Sequence, residues 1–154
     1  CQKLKDISPL TNWDVSNCMK MVGMFKNSGI RNLSGISKWT LEHINDLSFM
    51  FFNTLIYNLE PLERWDLEYC SDISFMFANC CQIYSLKNIK YWKVHNVKFF
   101  NNMFENCFKL SFLSPISKWD FSNCVNASKM FGGDTALRHK MPNNLKSFKI
   151  EYLI

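Results

Sequence analysis

WDLEYCSDISFMF (65–77) decides the fold, because close variants of this stretch occur five times in the chain. A Met-Phe pair follows each Trp after eleven residues, and successive Trp stand 26, 26, 27 and 27 residues apart. A repeat of this length cannot bury its own apolar side, so we expect the copies to stack as coils around a shared core. The core columns are Trp13, Trp39, Trp65, Trp92 and Trp119, with Phe25, Phe51, Phe77, Phe104 and Phe131 from the Met-Phe pairs.

Two local patterns predict the structure of each coil. Apolar residues alternate with polar ones from three residues before the Trp to two after it, which predicts a short parallel strand. LSFMFFN (47–53) has apolar residues at three- and four-residue spacing, which predicts one or two helical turns held by packing. The predicted fold is an α/β solenoid, a leucine-rich-repeat-like stack of about five coils, each with a short parallel strand and a short helical segment.

The motif also carries a family resemblance. WDVSNCMKMVGMF (13–25) and WDFSNCVNASKMF (119–131) closely resemble the repeat of BspA-like leucine-rich-repeat surface proteins, over about residues 1–140. Copies two and four depart from the motif at TLEH (40–43) and KVH (93–95). The resemblance implies a leucine-rich-repeat-type solenoid that binds proteins or surfaces and has no enzymatic activity, and it transfers no ligand.

The chain of 154 residues is expected to form a single repeat domain (1–154). Residues 140–154 are expected to form an atypical C-terminal coil or cap, in which LKSFKIEYLI (145–154) predicts a final strand. Cys1 falls within the repeat register, so we expect a fragment that lacks upstream residues, with a lipid-modified Cys of a mature lipoprotein as the alternative.

Composition favours a folded protein without cofactors. Hydrophobic residues make up 47% of the chain, and no apolar run is long enough to span a bilayer. The net charge of +5 is mild, and the small cluster of Lys140, Lys146 and Lys149 is not enough to predict nucleic-acid binding. We therefore expect protein partners of unknown identity, possible membership of a multi-protein assembly, and neither nucleic acid nor a transmembrane segment.

The seven cysteines indicate a reducing compartment rather than a disulfide scaffold. Cys18, Cys70 and Cys124 share a position that Ile or Val fills in other copies, which is typical of a small buried hydrophobe. Cys80 and Cys107 are neighbours in the stack and could form a disulfide, but Ser or Thr at the same position elsewhere favours a polar ladder.

No arrangement of residues predicts catalysis or metal binding. His43, His95 and His139 are isolated from carboxylates and cysteines, and no Cys/His spacing fits zinc. No glycine-rich phosphate loop is present either. We expect no catalytic residues, no cofactor and no metal.

Two surfaces are candidate interfaces. The residues that flank Trp on the outward side form the first, which we call the polar face: Lys38, Arg64, Tyr91, Lys118, Asp14, Asp66 and Asp120. Phe49, Phe52 and Phe75 occupy positions that accept Lys, Glu or Asn in other copies, so they predict an exposed apolar cluster, which we call the phenylalanine patch.

The expected function is non-catalytic protein–protein recognition, and the resemblance indicates a surface-displayed binding or adhesion protein. One alternative is a structural component of a large assembly such as a virion or an envelope-associated complex. A second alternative is an intracellular scaffold. The resemblance favours the cell surface or an assembly, whereas reduced thiols favour an intracellular location.

Overall fold

The computed structural model describes residues 2–133, 137, 140–145, 148 and 150–153. Cys1, His139, Lys146, Lys149 and Ile154 lie outside the described residues, so the expectations for them stay predictions. The described chain winds into five stacked coils, numbered 1 to 5 by their Trp, and the predicted solenoid is present in this general form.

A short 3-10 turn precedes the Trp of each coil. These turns cover Ser8–Asn12, Ser34–Ile36, Glu60–Leu62, Lys87–Ile89 and Ser114–Lys118, and a later one covers Asn143–Leu145. A Pro near the start of three of them supplies the φ that such a turn requires. In coil 3 the side-chain oxygen of Asn58 accepts the Glu60 N–H at 3.0 Å, and the Trp65 N–H donates to the Leu62 carbonyl at 3.1 Å.

The predicted parallel strand around each Trp is wrong in position for the described residues. Because the Trp N–H is bonded inside its own coil, it cannot pair with the neighbouring coil. Parallel pairing instead begins seven residues after the Trp. The bridges join Lys20 to Asp46, Asp46 to Asp72, Asp72 to Phe99, and Phe99 to Asn126.

The predicted helical turns are also wrong, since LSFMFFN (47–53) forms hydrogen bonds to the next coil. The N–H groups of Leu47, Phe49, Phe51 and Asn53 donate to carbonyls of coil 3 at 2.9, 3.0, 3.0 and 2.8 Å. Amides that leave the coil cannot make the i→i−4 bonds of a helix. Phe49 and Asn53 have φ of 58° and 55°. This left-handed conformation interrupts the segment twice, so it cannot continue as a right-handed helix. We call residues seven to fourteen after each Trp the ladder segment.

The core lies between the ladder segments and the Trp column. The rings of Phe25, Phe51, Phe77, Phe104 and Phe131 stack in order, with successive centroids 5.7, 5.6, 5.6 and 5.8 Å apart. The rings of Trp39, Trp65 and Trp92 stack beside this column, with their centroids 6.2 to 6.3 Å from the Phe ring of the preceding coil. Continuous aromatic stacking therefore joins one coil to the next.

Trp13 departs from the expected core column. Its side chain is 55% exposed, whereas the other four Trp are 3 to 4% exposed. The buried Trp pack on the Phe of a preceding coil, and the sequence places no such Phe before Trp13. The expectation that Trp13 belongs to the core therefore does not hold within this chain.

The C-terminal residues close the last coil, but not with the predicted strand. A four-residue helix, α1 (Ile150–Leu153), lies against the ladder segment of coil 5, where the Lys129 N–H donates to the Tyr152 carbonyl. The Phe131 N–H donates to the Leu153 carbonyl at 2.7 Å. Asn144 donates from its amide to the Ile116 carbonyl at 3.0 Å, the kind of contact that a Trp indole makes between earlier coils. We call residues 143–153 the C-terminal cap.

Candidate functional site: a polar face and a phenylalanine patch

The polar face is built by the alternation of side chains around each buried Trp. In coils 2 to 5 the Trp points inward, so its two sequence neighbours point to solvent, whereas Asp14 follows the exposed Trp13. All seven side chains of the face are exposed, namely Lys38, Arg64, Tyr91, Lys118, Asp14, Asp66 and Asp120. Their arrangement follows the stacking of coils: coils 3 and 5 each contribute a residue from both sides of the Trp, and coils 1, 2 and 4 contribute one residue each.

The aspartates of the polar face have a structural task that sequence reasoning missed. Asp14 Oδ1 accepts the Ser16 hydroxyl at 2.7 Å and the Ser16 N–H at 3.0 Å, and these hydrogen bonds lower the pKa of Asp14. Asp120 Oδ1 accepts the Ser122 N–H at 2.9 Å, which lowers the pKa of Asp120. Each carboxylate thus fixes the turn that follows its Trp. The recurring Asp-x-Ser spacing was the available signal.

Charges between coils 3 and 4 are paired. Lys93 Nζ lies 2.7 Å from Asp66 Oδ2 and 3.1 Å from Glu68 Oε2. The hydrogen bond to Asp66 is the largest cause of the raised pKa of Lys93. This part of the polar face is therefore locally neutralised by the protein's own side chains.

Charges between coils 2 and 3 are arranged differently. Lys38 and Arg64 are exposed, and neither forms a salt bridge within the described part of the chain. They border a groove of about 530 Å³, which we call the Lys38–Arg64 groove. Its lining residues are Ser37, Lys38, Trp39, Thr40, Leu41, Glu42, Arg64, Asp66 and Tyr69.

Tyr69 is a groove residue that sequence reasoning did not select. Its side chain is 64% exposed, and it stands four residues after Trp65. The same position holds Asn or His in the other coils, so Tyr69 is the single aromatic residue of its column. An aromatic residue in a column of polar ones was the signal that could have identified it.

The phenylalanine patch is half-buried and packed on itself. The Phe49 and Phe75 rings are stacked with centroids 4.5 Å apart, and the Phe52 ring lies 5.7 Å from Phe49. Lys26 Nζ lies 4.5 Å from the Phe49 ring centroid and 4.8 Å from that of Phe52. Phe49 and Phe75 both have left-handed φ values, 58° and 57°, which are unusual for an aromatic residue.

The buried thiols act as hydrogen-bond donors between coils. Cys80 Sγ lies 3.0 Å from the Phe51 carbonyl, and Cys107 Sγ lies 3.2 Å from the Phe77 carbonyl. No disulfide joins the six cysteines in the described residues. Burial raises the pKa of Cys80 to about 11 and that of Cys70 to about 12, so both thiols stay protonated at neutral pH.

Three further features concern chemistry and membranes. Within residues 2–133 and the described C-terminal positions, no group of three or more His, Cys, Asp or Glu could hold a metal ion. His43 is exposed and His95 is half-buried. The helices of the described chain include none with the length and apolar character needed to cross a membrane.

Comparison with known structures gives a distant similarity. The chain is similar to internalin C2 from Listeria monocytogenes, with 13% sequence identity and a TM-score of 0.34, over 99% of this chain and 75% of the internalin chain. No curated protein sequence matches the chain significantly.

A family comparison is more extensive. The sequence model of one protein family matches residues 1–107 and also residues 28–145. The two matches overlap and together include all five Trp repeats. BspA-like repeat proteins carry this same domain, which agrees with the resemblance at the family level, whereas the repeat motif itself stays a prediction. The chain therefore belongs to the family DUF285, described as "Mycoplasma protein of unknown function".

Proposed function

We propose that the chain is a non-catalytic protein-recognition module that binds its partner through the polar face. The supporting observation is that Lys38 and Arg64 are exposed beside a groove without salt-bridge partners in the described chain, while Lys93 neutralises the next part of the face. Stacked coils provide an extended, rigid surface on which outward residues vary without disturbing the core. The resemblance to BspA-like proteins extends the proposal to surface display and adhesion.

A second candidate function is a structural component of a large assembly, such as a virion or an envelope-associated complex. The observations that favour it are the thiols of Cys80 and Cys107, which donate to backbone carbonyls instead of bridging, and the stacked Phe49–Phe75 pair. Persistent thiols fit a reducing compartment, and a half-buried aromatic cluster fits a contact that stays covered. An intracellular scaffold would share the same compartment.

Site-specific photo-crosslinking tests the polar face. Benzoylphenylalanine at Tyr91 lies on the face, and the same probe at Tyr84, an exposed residue ahead of the 3-10 turn of coil 4, is the matched control. In cells or particles of the native source, we expect a discrete crosslinked partner from position 91 that excess unlabelled protein displaces. Equal labelling from both positions, or none from position 91, would contradict the proposed face.

The assembly alternative has its own test. Phe49→Ser combined with Phe75→Ser should abolish assembly, measured by sedimentation, if the phenylalanine patch is an interface. The variant must keep a cooperative thermal transition for the result to count, and Tyr84→Ser is the control for loss of an exposed aromatic residue. Unchanged sedimentation of the folded variant would discard the patch as an interface.

A further inference from the structure

We propose that the Lys38–Arg64 groove binds a carboxylate side chain of an acidic peptide segment, with an adjacent apolar residue of that peptide against Tyr69. This inference rests on the proposed function and names the chemistry of the partner. It concerns one site between coils 2 and 3 and leaves the rest of the polar face as a supporting surface.

The charge balance of the groove favours an anionic partner. Asp66 lines the groove, but its Oδ2 is 2.7 Å from Lys93 Nζ, and its Oδ1 accepts the Glu68 N–H at 3.0 Å. Both carboxylate oxygens of Asp66 therefore already have partners other than Arg64. Of the remaining charged residues that line the groove, two are cations and one, Glu42, is an acid. A single extra carboxylate would complete the pairing.

The geometry allows one carboxylate to meet both cations. Lys38 and Arg64 hold the same position in neighbouring coils, whose paired ladder segments are about 4.8 Å apart. A guanidinium can donate two parallel hydrogen bonds to one carboxylate, and a Lys ammonium can add a third. Both side chains are supported by the rigid base that buried Trp39 and Trp65 provide directly after them in the chain.

The lining also supplies an apolar contact. Trp39 and Leu41 are each 4% exposed and border the groove, and the ring of Tyr69 stands beside them at 64% exposure. A peptide residue next to the carboxylate can cover this ring, and Tyr combines a large apolar area with low conformational freedom, as in many binding hot spots. The site therefore fits an acidic residue next to an apolar one.

The surroundings disfavour a nucleic acid. A second groove on the other side of Lys38 and Arg64 is lined by Glu60 and Glu63, which would repel a continuous phosphate backbone. An isolated carboxylate between the two cations avoids that repulsion. The same reasoning predicts that binding weakens as salt concentration rises.

The test is an NMR titration of the full, isotopically labelled chain with a defined peptide, Gly-Ser-Glu-Leu-Glu-Gly-Ser. The matched peptide Gly-Ser-Gln-Leu-Gln-Gly-Ser removes only the carboxylates. We expect the Arg64 side-chain N–H and the Trp39 indole signal to shift with the Glu peptide alone. Arg64→Ala and Lys38→Ala should each weaken binding about tenfold or more, since each removes charge-assisted hydrogen bonds.

Lys87→Ala is the control variant, because Lys87 is exposed in the 3-10 turn of coil 4 and lines no part of the groove. It should bind like the wild type. Equal binding of both peptides, Arg64→Ala binding unchanged, or a ten-nucleotide single-stranded DNA shifting the same signals more strongly would each overturn the inference. If the peptide fails while crosslinking from position 91 still captures a partner, the acidic class is wrong and protein recognition stands.

Discussion

Trp65 is 3% exposed, and its ring lies 6.2 Å from that of Phe51 in the preceding coil. A buried Trp removes roughly 150–250 Å² from water, more than most other residues of a coil. Trp13 has the same place in its repeat but is 55% exposed. Comparing Trp65 with Trp13 therefore shows how much stability comes from burying the Trp side chain, because both hold the same position in the motif.

Trp65→Ala should lower the free energy of unfolding by roughly 3–5 kcal/mol, because it leaves a cavity in the aromatic column. Trp13→Ala should cost about 1 kcal/mol or less, since an exposed side chain loses little burial. Urea and thermal denaturation, monitored by circular dichroism, measure the stability of both variants. A melting temperature for Trp65→Ala within a degree or two of the wild type would contradict its place in the core.

The indole N–H groups offer a finer comparison. Trp39 Nε1 donates to the Leu10 carbonyl at 3.1 Å, whereas Trp65 Nε1 is buried without a hydrogen-bond partner in the described chain. Their ring contacts are matched, with centroids 6.3 Å from Phe25 and 6.2 Å from Phe51.

Trp39→Phe should therefore destabilise the protein by about 1 kcal/mol more than Trp65→Phe, because only the first removes a hydrogen bond. Both variants lose the same volume, so each is the control for the other. Free energies of unfolding from denaturant titrations are the measurement. A larger loss for Trp65→Phe would show that its indole N–H is bonded in solution.

At the scale of the element, the ladder segment depends on the residue that directly follows it. Ser28, Thr54, Cys80 and Cys107 hold this position in coils 1 to 4. Thr54 donates its hydroxyl to the Phe51 carbonyl at 2.9 Å, and Cys80 donates its thiol to the same carbonyl at 3.0 Å. The hydroxyl of Thr54 thus bonds within its own coil, whereas the thiol of Cys80 bonds to the preceding coil.

The free energy of unfolding should fall as the pH rises from about 9 to about 11. The pKa of Cys80 is raised by burial from 9.0 to about 11, so the unfolded chain loses this proton first and gains stability relative to the folded one. Urea titrations at pH 8 and pH 10 test the expectation. Cys80→Thr, which copies Thr54, should lose part of the decrease, and an identical decrease would rule out Cys80 as a contributor.

On the scale of the whole molecule, the C-terminal cap covers one face of coil 5. Leu145 and Leu153 are fully buried against coil 5, and the Phe148 ring meets the Phe121 ring edge-on at 6.0 Å. Hydrogen bonds from Lys129 and Phe131 attach α1 to the last ladder segment. The cap therefore protects both the apolar end of the core and its backbone donors.

Leu153→Ala should lower the free energy of unfolding by about 2–5 kcal/mol, because the side chain is fully buried. Tyr152→Ala is the control, since that side chain is 60% exposed while its backbone carbonyl stays in place. Thermal unfolding and light scattering report stability and association together. Similar melting temperatures for the two variants would show that the cap does not pack on coil 5 in solution.

The repeat period and the identity of the inward columns could be predicted from sequence because Trp and Phe recur at fixed spacing. The local conformation could not, since alternation around Trp65 fits a strand as well as it fits the turn that Asn58 and Pro61 impose. Nothing in a Phe residue indicates the left-handed φ of Phe49, although Gly23 at the equivalent position was a hint.

For the candidate site too, one part could be predicted from the sequence and another could not. Exposure of Lys38 and Arg64 could be predicted from the variability of their column, whereas the unpaired state of both depends on where Lys93 places its ammonium group. That choice is made by the side-chain conformation of Lys93, two coils from Lys38 and one coil from Arg64, which a linear pattern does not contain.

Apart from its first residue, the ladder segment of each of coils 1 to 4 donates its inter-coil N–H groups to the next coil, so the stack has a chemical direction along its axis. In coil 5 the forward groups of Lys129 and Phe131 are already occupied by carbonyls of α1. These two donors are therefore not available to the ladder of a second molecule, which disfavours end-to-end stacking of identical chains through this edge.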